Sequence, residues 1–239
     1  MIVYISKKNI IFNYIGQIYT MGISILILPL FLKLLGAENY GIVAFFMMVQ
    51  GWMTILDMGM SPTLNREIAA NKGHFKNDYQ KYQLLTLIKS LKIIFIVVSL
   101  CLVIVTFLYS EKISSEWLDY KTINNNVVNH SIFLIGIIVS IRWFSGLYRS
   151  AINGYEEQVW LNKFNVILIT LKNPVSLILL YFVSDSLILF FYYQLLTSLL
   201  ELLILSRKLK EHLPEYNGEL PFFSIKEILR IKSFAELLL

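Results

Sequence analysis

Six long apolar runs constrain this chain more than any other feature of its sequence. A helix needs roughly 20 residues to cross about 30 Å of hydrocarbon, because each residue adds about 1.5 Å. The runs that reach this length are residues 10–35, 40–60, 84–109, 131–152, 160–183 and 186–205. They are too long for buried strands, so the sequence predicts an all-α, polytopic membrane protein with six transmembrane helices.

Composition supports lipid as the solvent for these runs. Only 15% of the 239 residues are charged and 56% are hydrophobic, whereas a soluble domain carries about 25% charged residues. Lys7 and Lys8 precede the first run, as in a secretory signal. That run is too long for a signal and is followed by no small-residue cleavage site, so we interpret it as a retained first span.

The distribution of Lys and Arg predicts the orientation. If the N-terminus is cytoplasmic, the inner connections collect twelve Lys and Arg, against Lys33, Lys112 and Lys121 outside. Both termini are therefore predicted to be cytoplasmic. The domain organisation that follows is a six-helix bundle over residues 1–206 and a basic cytoplasmic connection over 207–239. That connection contains a predicted amphipathic helix over 221–234 and then the start of a further span.

Two other connections are polar. Residues 61–83, opened by Pro62, are predicted to be a cytoplasmic connection, and residues 110–130 an outer loop with a turn-prone run at 124–126.

Several predicted spans have a polar face at helical spacing. On the fourth, Arg142 and Arg149 share a face with Ser145, Gly146 and Asn153. The third span offers only a weak pattern, Lys92, Ser99 and Thr106. On the first span the polar face is Asn9, Asn13, Gln17, Thr20 and Ser24, and on the second it is Gln50, Thr54, Asp57 and Ser61. On the fifth span it is Asn165, Lys172 and Ser176, and on the sixth it is Gln194, Ser198 and Glu201.

Charged side chains at the bilayer centre cost about 2.5–3.5 kcal/mol on insertion scales, so they face protein or water. Arg142 and Lys172 are predicted near mid-depth, and two unpaired cations at one depth favour a cavity over simple helix association. Pro174 predicts a kink beside Lys172. The candidate substrate-cavity residues are Arg142, Lys172, Arg149, Asn13, Gln17 and Gln50. The candidates for ion coupling are Asp57 and Glu201.

A purely structural alternative stays open for these polar groups. Polar side chains join membrane helices, and Arg149 with Glu201 on this interpretation is an interhelical ion pair and nothing more. Catalytic chemistry has no support: His74, His130 and His212 lie in three different connections, and no nucleotide-binding glycine motif occurs. We therefore predict no metal, no cofactor, no nucleic-acid partner and no enzyme activity.

Three segments carry a resemblance to a known family. ILPLFLKLLGAENYGIVAFF (27–46), LDMGMSPTLNREIAANKG (56–73) and SAINGYEEQ (150–158) resemble the N-terminal half of polysaccharide-biosynthesis flippases of the O-antigen and capsule type. These belong to the multidrug, oligosaccharidyl-lipid and polysaccharide (MOP) exporter superfamily. The resemblance implies one lobe of a two-lobe exporter in the bacterial cytoplasmic membrane.

The substrate that the resemblance implies is an oligosaccharide linked to polyprenyl (undecaprenyl-type) diphosphate, moved to the outer leaflet for lipopolysaccharide or capsule synthesis. Implied partners are membrane lipids, a second lobe and polysaccharide polymerase machinery. Since the chain matches about half of a family member, an incomplete product is expected. Two alternatives remain: a drug or metabolite antiporter of the same superfamily, and an inactive fragment or interaction subunit. A membrane glycosyltransferase is disfavoured.

Overall fold

A computed structural model describes the backbone of residues 7–71, 77–118, 120–225 and 227, and the side chains of these residues from 14 onwards except 71. All regular elements in these ranges are helical, which confirms the all-α prediction. They are α1 (Lys7–Leu26), α2 (Leu28–Leu56), α3 (Met60–Asn71), α4 (Asp78–Trp117), α5 (Asn125–Gly154), α6 (Gln158–Thr170), a π-helical turn (Leu171–Val175), α7 (Ser176–Phe182) and α8 (Leu187–Lys210).

Five helical stretches in the described residues are long and apolar enough to cross a membrane. They are Tyr14–Leu56, Asp78–Trp117, Asn125–Gly154, Gln158–Phe182 and Leu187–Lys210. Helices suit this environment because they satisfy their own backbone hydrogen bonds. The first stretch covers the region that the sequence divides into two spans, so the six-span count stays a prediction, as does the cytoplasmic placement of both termini.

Gly36 interrupts the first stretch. Its φ of 79° and ψ of 165° are not helical, and glycine adopts a positive φ without the cost that a Cβ imposes. A straight helix would separate Phe31 from Gln50 by about 28 Å, yet both residues line one cavity of about 130 Å³. The chain therefore folds back at Gly36 into two helical arms.

Asparagine caps define where two of the long helices begin. The Asn77 side chain accepts a hydrogen bond from the Gln80 amide at 3.0 Å before α4, and Asn124 accepts one from the Asn126 amide at 2.9 Å before α5. Since α4 continues to Trp117, the predicted outer loop 110–130 is wrong at both ends. Apolar runs mark the part of a helix that lies in hydrocarbon, but helical hydrogen bonding continues into polar sequence.

The predicted polar connection 61–83 is also corrected, because it contains α3. Leu64 and Ile68 of this helix are fully buried, and α3 packs closely on α5. Gly154 makes this approach possible, because a Cβ there would lie 2.8 Å from the Asn65 carbonyl oxygen and from Ile68 Cβ. Pro62 is tolerated in the first turn of α3, where a backbone N–H has no helical partner.

Helix α5 is the centre of the bundle and packs against α2, α3, α4, α6 and α8. Against α4, the rings of Phe95 and Trp143 stack with centroids 4.1 Å apart, and Ser99 and Ser140 exchange hydrogen bonds from each hydroxyl to the other's carbonyl. The weak polar pattern on the third predicted span thus includes a serine that joins two helices, as the structural alternative expects.

Large apolar side chains cover the outside of the bundle. Ile18 on α1, Phe107 and Leu108 on α4 and Phe182 on α7 are each at least 64% exposed, which suits contact with acyl chains and not with water. After α8, the chain runs back along α4, where the Ser224 amide donates to Ser90 Oγ at 3.0 Å. The predicted amphipathic helix over 221–234 lies mostly outside the described residues, which there are only 221–225 and 227.

Candidate functional site

Two arginines on α5 form the centre of the candidate site. Arg142 and Arg149 are seven residues, about two turns, apart and therefore lie on one face of the helix. Gly146 lies between them and lines two cavities, one with each arginine. The predicted polar face is confirmed for Arg142, Gly146, Arg149 and Asn153. Ser145 does not belong to it: it is fully buried and its hydroxyl donates to the Ile141 carbonyl of its own helix.

Arg142 is held by uncharged partners from two other helices. Its Nη1 donates to Gln50 Oε1 at 2.9 Å, its Nη2 to Gln194 Oε1 at 2.5 Å and its Nε to Ser198 Oγ at 2.9 Å. The guanidinium also lies 5.0 Å from the centroid of the Phe46 ring. The orientation of the guanidinium is therefore fixed, while its positive charge is not neutralised by any of these contacts.

Glu201 on α8 supplies a carboxylate to the site and forms ion pairs with two cations. Its Oε1 accepts from Arg149 Nε at 2.9 Å and Nη2 at 2.5 Å, and its Oε2 accepts from Lys172 Nζ at 2.5 Å. Arg149 also donates to Asn165 Oδ1. The expected ion pair between Arg149 and Glu201 is thus present. The expectation that Lys172 is unpaired is wrong, because α8 brings Glu201 to it.

A π-helical turn places Lys172. Leu171–Val175 contains Pro174, which has no backbone N–H and therefore disturbs the hydrogen-bond ladder where the sequence predicts a kink. Two side chains of α8 satisfy carbonyls of this turn: Tyr193 donates to the Leu171 carbonyl at 2.9 Å, and Gln194 Nε2 donates to the Lys172 carbonyl at 2.8 Å. Gln194 consequently connects the backbone of Lys172 with the guanidinium of Arg142.

Three cavities follow this face of α5. Arg142 and Lys172 line the one of about 130 Å³, Arg142 and Asp57 line a second of about 340 Å³, and Arg149 and Gln17 line a third of about 570 Å³. The first two share Gln50 and Arg142, and the second and third share Ser61 and Gly146. The cations therefore border a series of three adjoining cavities along α5.

Asp57 has a different environment from Glu201. Its carboxylate accepts from the Ser61 hydroxyl at 2.8 Å and from the Ser61 amide, and it thereby caps α3 after a tight turn in which Met58 and Gly59 have φ values of 44° and 78°. Among the described residues, no cation lies within ion-pair distance of Asp57. Asp57 therefore lines the Arg142 cavity while its carboxylate caps α3.

The structure places some of the predicted cavity residues beside the two arginines. Gln50 binds Arg142, and Gln17 lines the Arg149 cavity, while the side chain of Asn13 lies outside the described residues. Gln194, Ser198 and Asn165 were predicted only as parts of polar faces, yet all three bind the arginines. Nothing in the sequence pattern separates them from polar residues that merely join helices.

With the fold and this geometry established, comparison with known proteins identifies the family. The model of the family described as polysaccharide biosynthesis protein matches residues 6–236. The chain belongs to this family. None of the curated proteins compared with it matches significantly.

A solved structure supports the fold of this polysaccharide biosynthesis family member. It is that of a MOP superfamily transporter from Pyrococcus furiosus, for which the reverse polarity of the binding pocket suggests a different function. The TM-score is 0.62 at 16% sequence identity, with 97% of this chain and 53% of the transporter covered. The family member is thus a multi-pass membrane protein with a MOP-type fold, and it spans about half the length of that transporter.

Proposed function

We propose that this chain forms the N-terminal half of a transporter that moves polyprenyl-diphosphate-linked oligosaccharide repeat units across the bacterial cytoplasmic membrane. The observation that carries the proposal is that Arg149 and Lys172 share one carboxylate, Glu201, while the nearby Arg142 has only uncharged hydrogen-bond partners. Three cationic side chains and one carboxylate leave a surplus of two positive charges. Such a surplus inside an apolar bundle is costly unless a ligand or water compensates it.

A diphosphate matches this surplus in charge and geometry. Its oxygens accept hydrogen bonds from guanidinium groups in paired fashion and from an ammonium group. Arg142, Arg149 and Lys172 each lie beside a cavity, and we propose that the ligand meets them there. The polyprenyl tail remains in lipid, and the cations lower the barrier for a headgroup that cannot cross hydrocarbon alone.

Movement is proposed to follow alternating access, with this half rocking against a second lobe. Glu201 and Asp57 remain the proposed ion-coupling residues. Glu201 is favoured, because protonation of its carboxylate would release Arg149 and Lys172 together for the incoming anion. Asp57 instead holds the start of α3 through Ser61.

Binding of polyprenyl diphosphate to the purified chain in lipid nanodiscs tests the proposal. We expect Arg142→Ala and Lys172→Ala each to weaken binding by about tenfold to a hundredfold, since a hydrogen bond to a charged group contributes roughly 1.5–3 kcal/mol. Polyprenol without phosphates should not compete. Lys163→Ala, at an exposed cation of α6, is the matched control and should bind normally.

Export in cells provides the second arm of the test. In the full-length transporter, the same variants of Arg142 and Lys172 should lower surface polysaccharide in a flippase-deficient strain. Wild-type export by both variants would remove these residues from the substrate path. Rescue of drug resistance but not of polysaccharide export would favour the antiporter alternative, and absence of any lipid-linked ligand would favour an interaction subunit.

A further inference from the structure

The cavity of about 570 Å³ beside Arg149 has a chemistry that the proposed diphosphate does not use. Four helices border it: α1, α3, α5 and α6. We call it the amide pocket, because six of its lining residues are Asn or Gln. Its lining residues are Gln17, Ser61, Pro62, Asn65, Gly146, Arg149, Ser150, Asn153, Gln158, Leu161, Asn162 and Asn165. Its volume falls within the range of about 300–1,000 Å³ that is typical of small-ligand sites.

Most of these amides have unused hydrogen-bonding capacity. Asn165 accepts from Arg149, but within the described part of the chain the side-chain amides of the other five take part in no hydrogen bond. The five are Gln17, Asn65, Asn153, Gln158 and Asn162. Each amide offers two N–H donors and a carbonyl oxygen. Gln17 and Gln158 are exposed, whereas Asn65, Asn153 and Asn162 are partly buried. Partly buried amides that only joined helices would be bonded to one another or to backbone, so these three are available to a ligand or to water.

The pocket also has little charge. Arg149 is the one charged side chain among its lining residues, and Glu201 already accepts two of its hydrogen bonds. An acidic group deep in this pocket would find no free cation among those residues. Uncharged hydroxyl and acetamido groups suit it better, because each of them both donates and accepts hydrogen bonds, as the amides do.

Position connects the amide pocket to the cation cluster. Arg149 belongs to both, and Ser61 and Gly146 are shared with the cavity of Arg142. A ligand with its anionic end at the cations therefore has its next polar part in the amide pocket. We propose that the amide pocket binds the uncharged sugar directly attached to the diphosphate, so that the half-transporter selects a neutral first sugar. This assignment rests on the proposed function and specifies its substrate.

The test compares three probes on the purified chain in lipid nanodiscs: polyprenyl diphosphate alone, the same lipid bearing one neutral N-acetylhexosamine, and the same lipid bearing one uronic acid. We expect the neutral sugar to tighten binding at least about tenfold over the bare lipid, which corresponds to one or two well-formed hydrogen bonds. The uronic acid should give a clearly smaller gain.

Variants then locate the effect. Asn162→Ala on α6 and Asn65→Ala on α3 should each remove most of the gain from the neutral sugar. The two substitutions lie on different helices, so a folding defect in one does not decide the result. Asn126→Ala, at an exposed position at the start of α5, is the matched control and should keep the full gain.

The outcomes separate the two proposals. If the bare lipid binds but the neutral sugar adds nothing, or the uronic acid adds as much, the sugar assignment is overturned and the proposed function stands. The same holds if both amide variants keep the gain. If no lipid-linked probe binds, the proposed function fails and the assignment fails with it.

Discussion

Lys172 on the π-helical turn and Glu201 on α8 form an ion pair, with Nζ 2.5 Å from Oε2. Glu201 is buried, with 4% of its surface exposed, and its second oxygen is occupied by Arg149. One carboxylate thus anchors two helical segments to α8, while Arg142 depends on two neutral amides and a serine hydroxyl. This division fixes the positions of three cations and leaves them with a net positive charge.

Glu201→Gln should destabilise the chain strongly. The substitution keeps the shape of the side chain but leaves two cations without their counter-charge, and removing one partner of a buried pair costs roughly 3–5 kcal/mol. Thermal unfolding in detergent measures the loss. The double variant Glu201→Gln with Lys172→Met should recover part of it, because one of the orphaned charges is removed. A double variant less stable than Glu201→Gln alone would contradict the assigned pairing.

Lysine at position 142 should not replace the function of the arginine. A lysine retains the charge but has one ammonium head, which cannot reach Gln50, Gln194 and Ser198 together as the guanidinium does. We expect affinity for polyprenyl diphosphate to fall about tenfold or more. The control Lys163→Arg, at an exposed position, should have no effect. Wild-type affinity of Arg142→Lys would show that charge alone matters.

Gly154→Ala should separate α3 from α5. The added Cβ would lie 2.8 Å from the Asn65 carbonyl oxygen and from Ile68 Cβ, and overpacking of this kind costs about 1–3 kcal/mol. Gly41→Ala is the matched control, since a Cβ there meets nothing within 4 Å and alanine favours a helix. Unfolding midpoints of the two variants should move in opposite directions; equal midpoints would argue against the close contact.

Tyr193→Phe should weaken the support of the π-helical turn. The hydroxyl donates to the Leu171 carbonyl at 2.9 Å, and interhelical hydrogen bonds in membranes contribute roughly 0.6–2 kcal/mol. Tyr181→Phe, at a 67% exposed tyrosine of α7, provides the comparison and should leave stability unchanged. Thermal unfolding in the same detergent measures the stability of both variants. Equal losses of stability in Tyr193→Phe and Tyr181→Phe would mean that the hydrogen bond to the Leu171 carbonyl does not stabilise the turn.

Cysteine labelling should distinguish the cavity-lining side of α6 from the apolar outer side of α4. In a Cys101→Ser background, Asn162→Cys should react with a membrane-impermeant maleimide, because the amide pocket is polar. Ile104→Cys should not, since Ile104 is 54% exposed on an apolar helix face and a thiol in lipid stays protonated. Labelling of Asn162→Cys only from the cytoplasmic side would confirm the predicted orientation. Equal labelling of both positions would contradict the interpretation of the amide pocket as a cavity open to water.

Sequence periodicity predicted one component of the site correctly. Arg142 and Arg149 share a face because a helix repeats every 3.6 residues, and this holds in any tertiary environment. The apolar runs likewise indicated a membrane protein, because bilayer thickness sets a minimum helix length. The pairing of Lys172 with Glu201 did not follow, since counting residues along separate spans ignores how the helices shift and tilt against each other.

What the sequence alone determined is therefore the solvent, the helical class and the polar face of α5. The tertiary structure decided the rest: the fold-back at Gly36, the packing of α3 on α5, and the choice of Glu201 as the partner of both Arg149 and Lys172. Periodicity acts within one helix, whereas ion pairs and cavities between helices depend on rotation, depth and packing, which only the assembled bundle fixes.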